Sequence, residues 1–200
     1  HSMSVYNQNL KITSSDIDIL RIFSHSEEFK YVGVRLDEKQ ELEKLLQRVP
    51  IPVKENIEEP AAKINVLLQA YISRLSLEGF SLVSDMVYIT QNATRLFRGL
   101  FEIALKRGWA HVAEKCLNFA NMVSHRQWAT QSPLRQFNAL PRNILRKLEN
   151  KDLTYERLYD LDSHEIGEGI DIPKLGKSIY NLVHQFPRLE IHAASQPITR

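Results

Sequence analysis

"YITQNATRLFRGLFEIALKRGW", residues 88–109, decides the fold. Apolar residues recur at steps of three and four, no proline interrupts them, and Gly108 closes the stretch as a C-terminal cap would. Extended backward, the same pattern predicts one helix from about Ser81 to Arg107, set off from the preceding helix by Gly79. Roughly 27 residues at 1.5 Å each give a helix of about 40 Å, far above the usual length. At 100° per residue, Asp85, Tyr88, Asn92, Arg95, Gly99, Glu102 and Lys106 fall into one stripe flanked by Gln91 and Arg98. The apolar residues, Leu82 through Leu105, cover an arc of roughly 200°, wider than a surface helix needs. The expectation is a spine enclosed on most sides. Its stripe faces either bulk water or a polar channel, and Arg95 either pairs with its helix neighbours or grips a phosphate.

The neighbours of this helix are legible from breakers and caps. "WAHVAEKCLNFANMVSHRQW" (109–128) follows after a single glycine and is expected to fold back antiparallel. Pro60 suits a first helical turn and opens a helix to about Leu75, with Ile64, Leu67, Leu68, Tyr71 and Ile72 as its buried stripe. "LDEKQELEKLLQRV" (36–49) is amphipathic and stops at Pro50 and Pro52, after which "VPIPVKENIEEP" reads as a stiff linker. "SSDIDILRIFSHSEEF" (14–29) offers Ser and Asp caps for short helices. After Ser132-Pro133 come short helices at 141–151, 154–161, 162–170 and 174–186, a small second unit closed by Pro187. "RLEIHAAS" then alternates weakly, as a strand would. The fold class is all-α: a helical bundle around one long central helix, followed by a small helix-loop-helix unit resembling a helix-hairpin-helix. No fixed-period repeat or low-complexity tract occurs.

Two hundred residues, 43% apolar and 25% charged, suffice for one substantial core and a small second one. The net charge of +2 does not by itself announce a nucleic-acid partner, so any such binding must rest on local patches. No apolar run is long enough for a membrane span. The lone Cys116 forms no internal disulfide and suits a reducing compartment. His1-Ser2-Met3 reads as a cloning remnant, and both ends are expected to be cut from something longer.

Catalytic and metal readings fare poorly. Cys116 and His111 share a helix but not a face. The histidines show no metal spacing, Cys116 has no cysteine partner, and no GxxxxGK[ST] loop is present. Trp109 and Trp128, at the two ends of one helix, point to core packing rather than base stacking. "EIGEGIDIPKLGKSI" (165–179) places small residues at a turn before Lys174, Gly176 and Lys177 at a helix start. That is compatible with phosphate binding through backbone N–H groups or with a plain helix turn, and Asp171 partly offsets the lysines.

"FSLVSDMVYITQNATRLFRGLFEIALKRGW" (80–109), "SPLRQF" (132–137) followed by "LP" (140–141), "YDLDSHEIGEGI" (159–170) and "QPITR" (196–200) together resemble the Brl region of Ski-like superfamily 2 helicases. In those proteins it is the accessory unit that follows the motor. "RVPIPVKENIEEPAAKINVLLQAYISRL" (48–75) looks most like the spliceosomal DExH-box branch and less like the relative in the activating signal cointegrator complex. Within that branch the resemblance favours the amino-terminal cassette, whose accessory unit follows the active motor, with the second, inactive cassette as the alternative. The resemblance implies that two RecA-like domains and a winged helix precede this piece. Residues 1–34 would then be the remnant and a connecting segment, 35–132 the bundle, 133–187 the helix-loop-helix unit, and 188–200 the start of an immunoglobulin-like domain.

The resemblance also makes the long helix a ratchet helix that meets the translocating strand. Asn92 and Arg95 would face RNA, with Tyr88, Arg98, Gly99 and Glu102 nearby. In the small unit, Lys174, Lys177 and a turn at Gly167 to Gly169 would meet the strand as it leaves. The implied function is RNA guidance within a nuclear, ATP-dependent spliceosomal helicase that unwinds paired small nuclear RNAs. ATP and Mg would serve the motor, and this piece alone would hold no cofactor and be inactive. Partners would be single-stranded RNA, the motor and winged helix, and spliceosomal protein regulators, with no membrane. A pure protein-interaction scaffold is the rival reading.

Overall fold

A computed structural model describes residues 2–198, with side chains from Ser4 onward. Among these residues there are ten α-helices, four 3-10 helices and no strand, an all-α fold. No helix among them is long and apolar enough to cross a membrane. The chain divides into two compact units, His1–Ala129 and Thr130–Arg200.

The first unit contains α1 (Ser2–Asn9), α2 (Asp16–Ser24), α3 (Lys39–Leu46), α4 (Pro60–Ile72), α5 (Phe80–Lys106) and α6 (Ala110–His125), with 3-10 turns at Glu27–Phe29 and Leu36–Glu38. Local chemistry sets the ends. Ser15 and Asp18 form a reciprocal capping box at the start of α2, and Pro60 occupies the first turn of α4. Gly108 adopts a left-handed φ of 69°, which turns the chain straight from α5 into α6. Phe97 stacks on Phe119 at 5.1 Å and Thr94 lies 3.3 Å from Ser124, so the two helices run antiparallel, as the short connection requires. Phe23 of α2 stacks on the other side of Phe97 at 4.6 Å.

Two expectations need correction. The helix enclosed on most sides is α4, not α5. Every residue of α4 from Ala61 to Ala70 is buried, Lys63, Asn65 and Gln69 included. On α5 the buried residues form a single stripe through Leu82, Ile89, Ala93, Leu96, Phe97, Leu100, Ile103 and Ala104, while Val87 and Leu105 stand exposed at 45% and 59%. A 13-residue helix is about 20 Å long and fits wholly inside the bundle, whereas a 27-residue one outruns its neighbours. Likewise, the segment expected to connect is part of the bundle: Tyr6, Leu10, Ile19, Leu20, Phe23, Phe29 and Val32 belong to the same core as α4, α5 and α6.

Burying polar groups on α4 requires that each find partners. The Gln69 amide bonds both ways with the backbone of Ile51, donating to its carbonyl at 2.9 Å and accepting from its N–H at 2.8 Å. That pins the proline-bounded linker to the bundle. Lys63, whose side chain is fully buried, donates from Nζ to Glu38 at 2.6 Å, to Asp85 at 2.6 Å and to the Gly33 carbonyl at 2.8 Å. Glu38 also accepts from Ser81 Oγ, from the Arg35 backbone and from the Arg35 guanidinium. Burial opposes ionisation of Glu38, but these donors together overcome it and hold the carboxyl down at about 2.

The second unit contains α7 (Arg142–Asn150), α8 (Tyr155–Asp160), α9 (Ser163–Gly169) and α10 (Gly176–Val183), with 3-10 turns at Pro133–Gln136 and Pro173–Leu175. Its own core includes Leu134, Ile144, Leu145, Leu148, Leu158, Ile166, Ile170, Ile179 and Val183. Arg135 and Glu149 form a two-point pair with both distances 2.7 Å. Helices α9 and α10 meet so closely that a Cβ on Gly176 would lie 1.8 Å from the Ser163 carbonyl oxygen. Residues 188–198, which include the alternating stretch 188–195, carry no regular structure, and Leu189 and Ile191 are exposed at 83% and 89%. An extended segment with no paired edge has nothing to complete its hydrogen bonds as a strand. His1, part of the expected remnant, and Thr199 and Arg200, part of the expected domain start, lie outside the described residues.

Replacing Lys63 with alanine removes the buried cation between Glu38 and Asp85, leaving only the half-exposed Arg35 guanidinium beside them, and should lower unfolding free energy by about 3 kcal/mol, measured by urea denaturation. A loss under about 1 kcal/mol would refute that. Glu38 titrates below its ordinary value of 4.5 in the folded protein, so its contribution is complete above that pH and fades as pH falls toward 2. Glu38→Gln should therefore flatten the acid limb of the stability–pH curve. Gly176→Ala should destabilise by about 3 kcal/mol, the upper end for an overpacked contact, because a backbone oxygen blocks the added methyl.

Candidate nucleic-acid interface

The polar stripe of α5 is divided between two tasks. Its first member, Asp85, turns inward to Lys63 at 2.6 Å and to Arg35 at 3.2 Å and is therefore structural. From Tyr88 onward the stripe leaves the core. Tyr88 is 45% exposed, its hydroxyl donates to the Glu28 carbonyl at 2.9 Å, and its ring meets the edge of Phe29. One turn on, Asn92 donates its amide to the Tyr88 carbonyl at 3.0 Å. That bond leaves Asn92 Oδ1 to accept from Arg95 Nη2 at 3.2 Å. The guanidinium is thus positioned by its own helix while its side chain stays 65% exposed.

Arg95 opens onto a groove of about 650 Å³. Gln91, Thr94, Arg98, Gly99 and Glu102 of α5 form one side, and Tyr6 of α1 with Glu28 of the 3-10 turn Glu27–Phe29 form the other. Gly99 lines the groove without a side chain, and Arg98 and Glu102 are exposed. Burial pushes the Tyr6 hydroxyl up to about 12, so it stays protonated, and it is hydrogen-bonded to Ser26. Glu28 Oε1 lies 3.6 Å from Arg95 Nη2. The stripe therefore faces a walled groove that opens to solvent, with arginines and acids in near balance. Arg107, from the end of α5, fixes the α1 wall by donating to the Asn7 carbonyl at 2.7 Å and the Leu10 carbonyl at 3.3 Å.

Of the six residues expected on α5, Arg95, Arg98, Gly99 and Glu102 line this groove, while Asn92 and Tyr88 hold Arg95 and the opposing turn. Tyr6 and Glu28 are absent from the sequence-based set. Both stand more than 60 residues before Arg95, and nothing local in the sequence marks them as its neighbours.

In the second unit Lys174 and Lys177 are exposed, one in the 3-10 turn and one in the first turn of α10. The turn expected at Gly167 to Gly169 lies elsewhere. Both glycines are inside α9, and the chain reverses just after it, where Asp171 takes a φ of 58°. Gly167 is buried, and a Cβ there would sit 2.8 Å from Pro173 Cα, so its small size serves the close approach of the Pro173 turn. Asp171 accepts from Lys151 at 2.6 Å, and that bond lowers its pKa. Beside α10, Tyr180, His184 and Tyr159 stack in series at 4.1 and 4.5 Å, and Arg188 covers Tyr159 at 4.9 Å. The spacing of Tyr180 and His184, four apart, is the only part of that stack visible in sequence.

Burial pushes the Cys116 thiol up to about 12, so it is no nucleophile at neutral pH. Among the described residues, no three His, Cys, Asp or Glu side chains group as metal ligands. Trp109 and Trp128 pack against the core, Trp128 donating to Ser73 Oγ at 2.8 Å.

Comparison with known proteins gives a consistent result. The family model described as the Sec63 Brl domain matches residues 1–200. The chain is 61% identical over 199 residues to the DExH-box ATP-dependent RNA helicase DExH12 of Arabidopsis thaliana, covering 100% of this chain and 9% of that protein. It is 57% identical over 199 residues to the U5 small nuclear ribonucleoprotein 200 kDa helicase of Homo sapiens, again 100% of this chain and 9% of the relative. Against the activating signal cointegrator 1 complex subunit 3-like protein of Dictyostelium discoideum, identity is 55% over 197 residues, 98% of this chain and 9% of the relative. The chain thus spans 9% of the length of each of these relatives.

Proposed function

The chain belongs to the Sec63 Brl domain family, and from that premise we propose that it is the RNA-guiding accessory part of a spliceosomal ATP-dependent RNA helicase. The observation that carries this reading is Arg95: an exposed guanidinium on the longest helix, oriented by Asn92 and aimed into an open groove. A guanidinium meets a phosphate through paired N–H groups without regard to sequence, while Asn92 adds a bond to backbone or sugar. Arg98, Gly99, Glu102 and Tyr88 complete the surface along which the strand passes. One helix face offers a few repeatable contacts per register rather than a tight site. In the second unit, Lys174 and Lys177 supply further phosphate contacts.

The motion would come from the RecA-like motor domains elsewhere in the parent protein, which would also take ATP and Mg. The residues here do not fit that task, since the sequence has no phosphate-binding loop and no metal-ligand cluster occurs among the described residues. No step is therefore assigned to nucleotide in this chain. The parent's substrates would be paired small nuclear RNAs unwound in the nucleus during spliceosome activation, and its regulators spliceosomal proteins. A protein-docking use of the same unit is favoured by Tyr31, Leu36 and Phe80, which are exposed at 85% or more. The equivalent region of the cointegrator-complex helicase is the other alternative.

In the full-length helicase, Arg95→Ala should slow unwinding, weaken binding to single-stranded RNA and reduce the salt slope of log K by about one. Thermal stability should stay within about 0.5 kcal/mol of wild type, because the side chain is exposed. Normal unwinding by a folded variant would sink the assignment. Lys174→Ala and Lys177→Ala should each take about one further unit off that slope, with unchanged slopes excluding contact by the second unit.

A further inference from the structure

We propose that Glu28 is a built-in competitor for Arg95: its carboxylate holds the guanidinium when no strand is present, and an RNA phosphate must displace it. This rests on the reading of Arg95 as a phosphate contact. Three observations carry it. The carboxylate stands 3.6 Å from Arg95 Nη2, the nitrogen that also bonds Asn92 at 3.2 Å. At that separation the pair is electrostatic rather than a formed hydrogen bond, so it can be broken without stranding a buried donor. The two partners also differ in freedom. The Arg95 side chain is 65% exposed, but that of Glu28 is only 25% exposed. Finally, Glu28 is fixed at its backbone. Its carbonyl accepts from Tyr88, and the next residue, Phe29, is buried against Phe23 with ring centroids 5.2 Å apart. A largely buried acid beside an exposed guanidinium that opens to the groove gives that guanidinium two alternative anions, the carboxylate and a phosphate.

The physical consequence is an exchange of anions. Arg95 is neutralised with and without RNA, and its contribution to affinity is the difference between pairing with phosphate and pairing with carboxylate. The exchange lowers affinity and shortens the residence of each phosphate, because the carboxylate is in place to retake the guanidinium as the strand moves on. Differences of this kind within one interface fall mainly on the dissociation rate. Glu28 is on this account a positioning residue that sets the tightness of the grip, not a contact to RNA itself.

The test uses the full-length helicase and a fluorescently labelled oligouridine single strand, with Glu28→Gln, Arg95→Ala and the double variant. Glu28→Gln keeps the side chain's shape and removes its charge. It should tighten binding about two- to fivefold, the range one exposed ion pair sustains. The change should appear in the off-rate with the thermal midpoint unmoved. Glu28→Asp, which keeps the charge, should bind close to wild type. In the Arg95→Ala background the Glu28→Gln gain should vanish. An equal gain in both backgrounds would show Glu28 acting only as a bulk negative charge, and no gain with Arg95 intact would show no competition; either overturns the proposal. If Arg95→Ala by itself leaves RNA affinity unchanged, the failure lies in the assignment of Arg95 as an RNA contact, and the role of Glu28 falls with it.

Discussion

A single buried ammonium holds the first unit in register. Lys63 directs its three N–H bonds to three elements: the Gly33 carbonyl, Glu38 at the end of a 3-10 turn, and Asp85 on α5. Hydrophobic packing between α4 and α5 is tolerant of small rotations, because apolar contacts have no required angle. An ion pair at 2.6 Å is not tolerant, since rotating α5 by one residue, about 100°, would carry Asp85 away from Lys63 and leave the ammonium with Glu38 alone. Fixing Asp85 also fixes the residues beyond it at steps of three and four. Tyr88, Asn92, Arg95, Gly99 and Glu102 all fall within about 100° of its direction, so a structural lock at one end of α5 aims the candidate stripe at the other.

The groove so created is nearly balanced in charge, and the balance is consistent with the mild net charge of +2. Arg95 and Arg98 share it with Glu28 and Glu102. A purely basic groove would hold a polyanion more strongly through released counterions; here each arginine shares the groove with an acid. The ordering of the surfaces obeys the same logic. Asp85 is committed to the core and is only 20% exposed, whereas Arg95, ten residues on, is 65% exposed and only lightly paired. The helix therefore passes from rigid to available along its length.

Much of this is readable from local signals. Prolines at 50, 52 and 60, the Ser15 cap, Gly79 and Gly108 mark ends that the structure reproduces within a few residues, and the length of α5 comes from uninterrupted periodicity. The hidden part depends on partners far away in sequence. Lys63 and Gln69 are polar positions whose burial makes sense only once Glu38 and Asp85 reach the one and Ile51 the other, while Asn65 accepts from Gln69 one turn on. A wide apolar arc on α5 suggests enclosure, but enclosure depends on how long the neighbours are, which periodicity does not report. Gly167 and Gly169 read as turn residues because glycine permits turns; at Gly167 the requirement is instead the absence of a side chain beneath Pro173.

The same distinction explains why half of the candidate groove can be named from sequence and half cannot. A helix face is a one-dimensional object, and steps of three and four recover Asn92, Arg95, Gly99 and Glu102 without any fold. The opposing wall is made by α1 and the Glu27–Phe29 turn, placed there because Tyr6 and Phe29 join the core that α5 also joins. Their arrival is a consequence of burial, not of pattern. Burial of Phe29 carries its neighbour Glu28 to the groove, so an apolar residue with no chemistry of its own decides which charge faces Arg95.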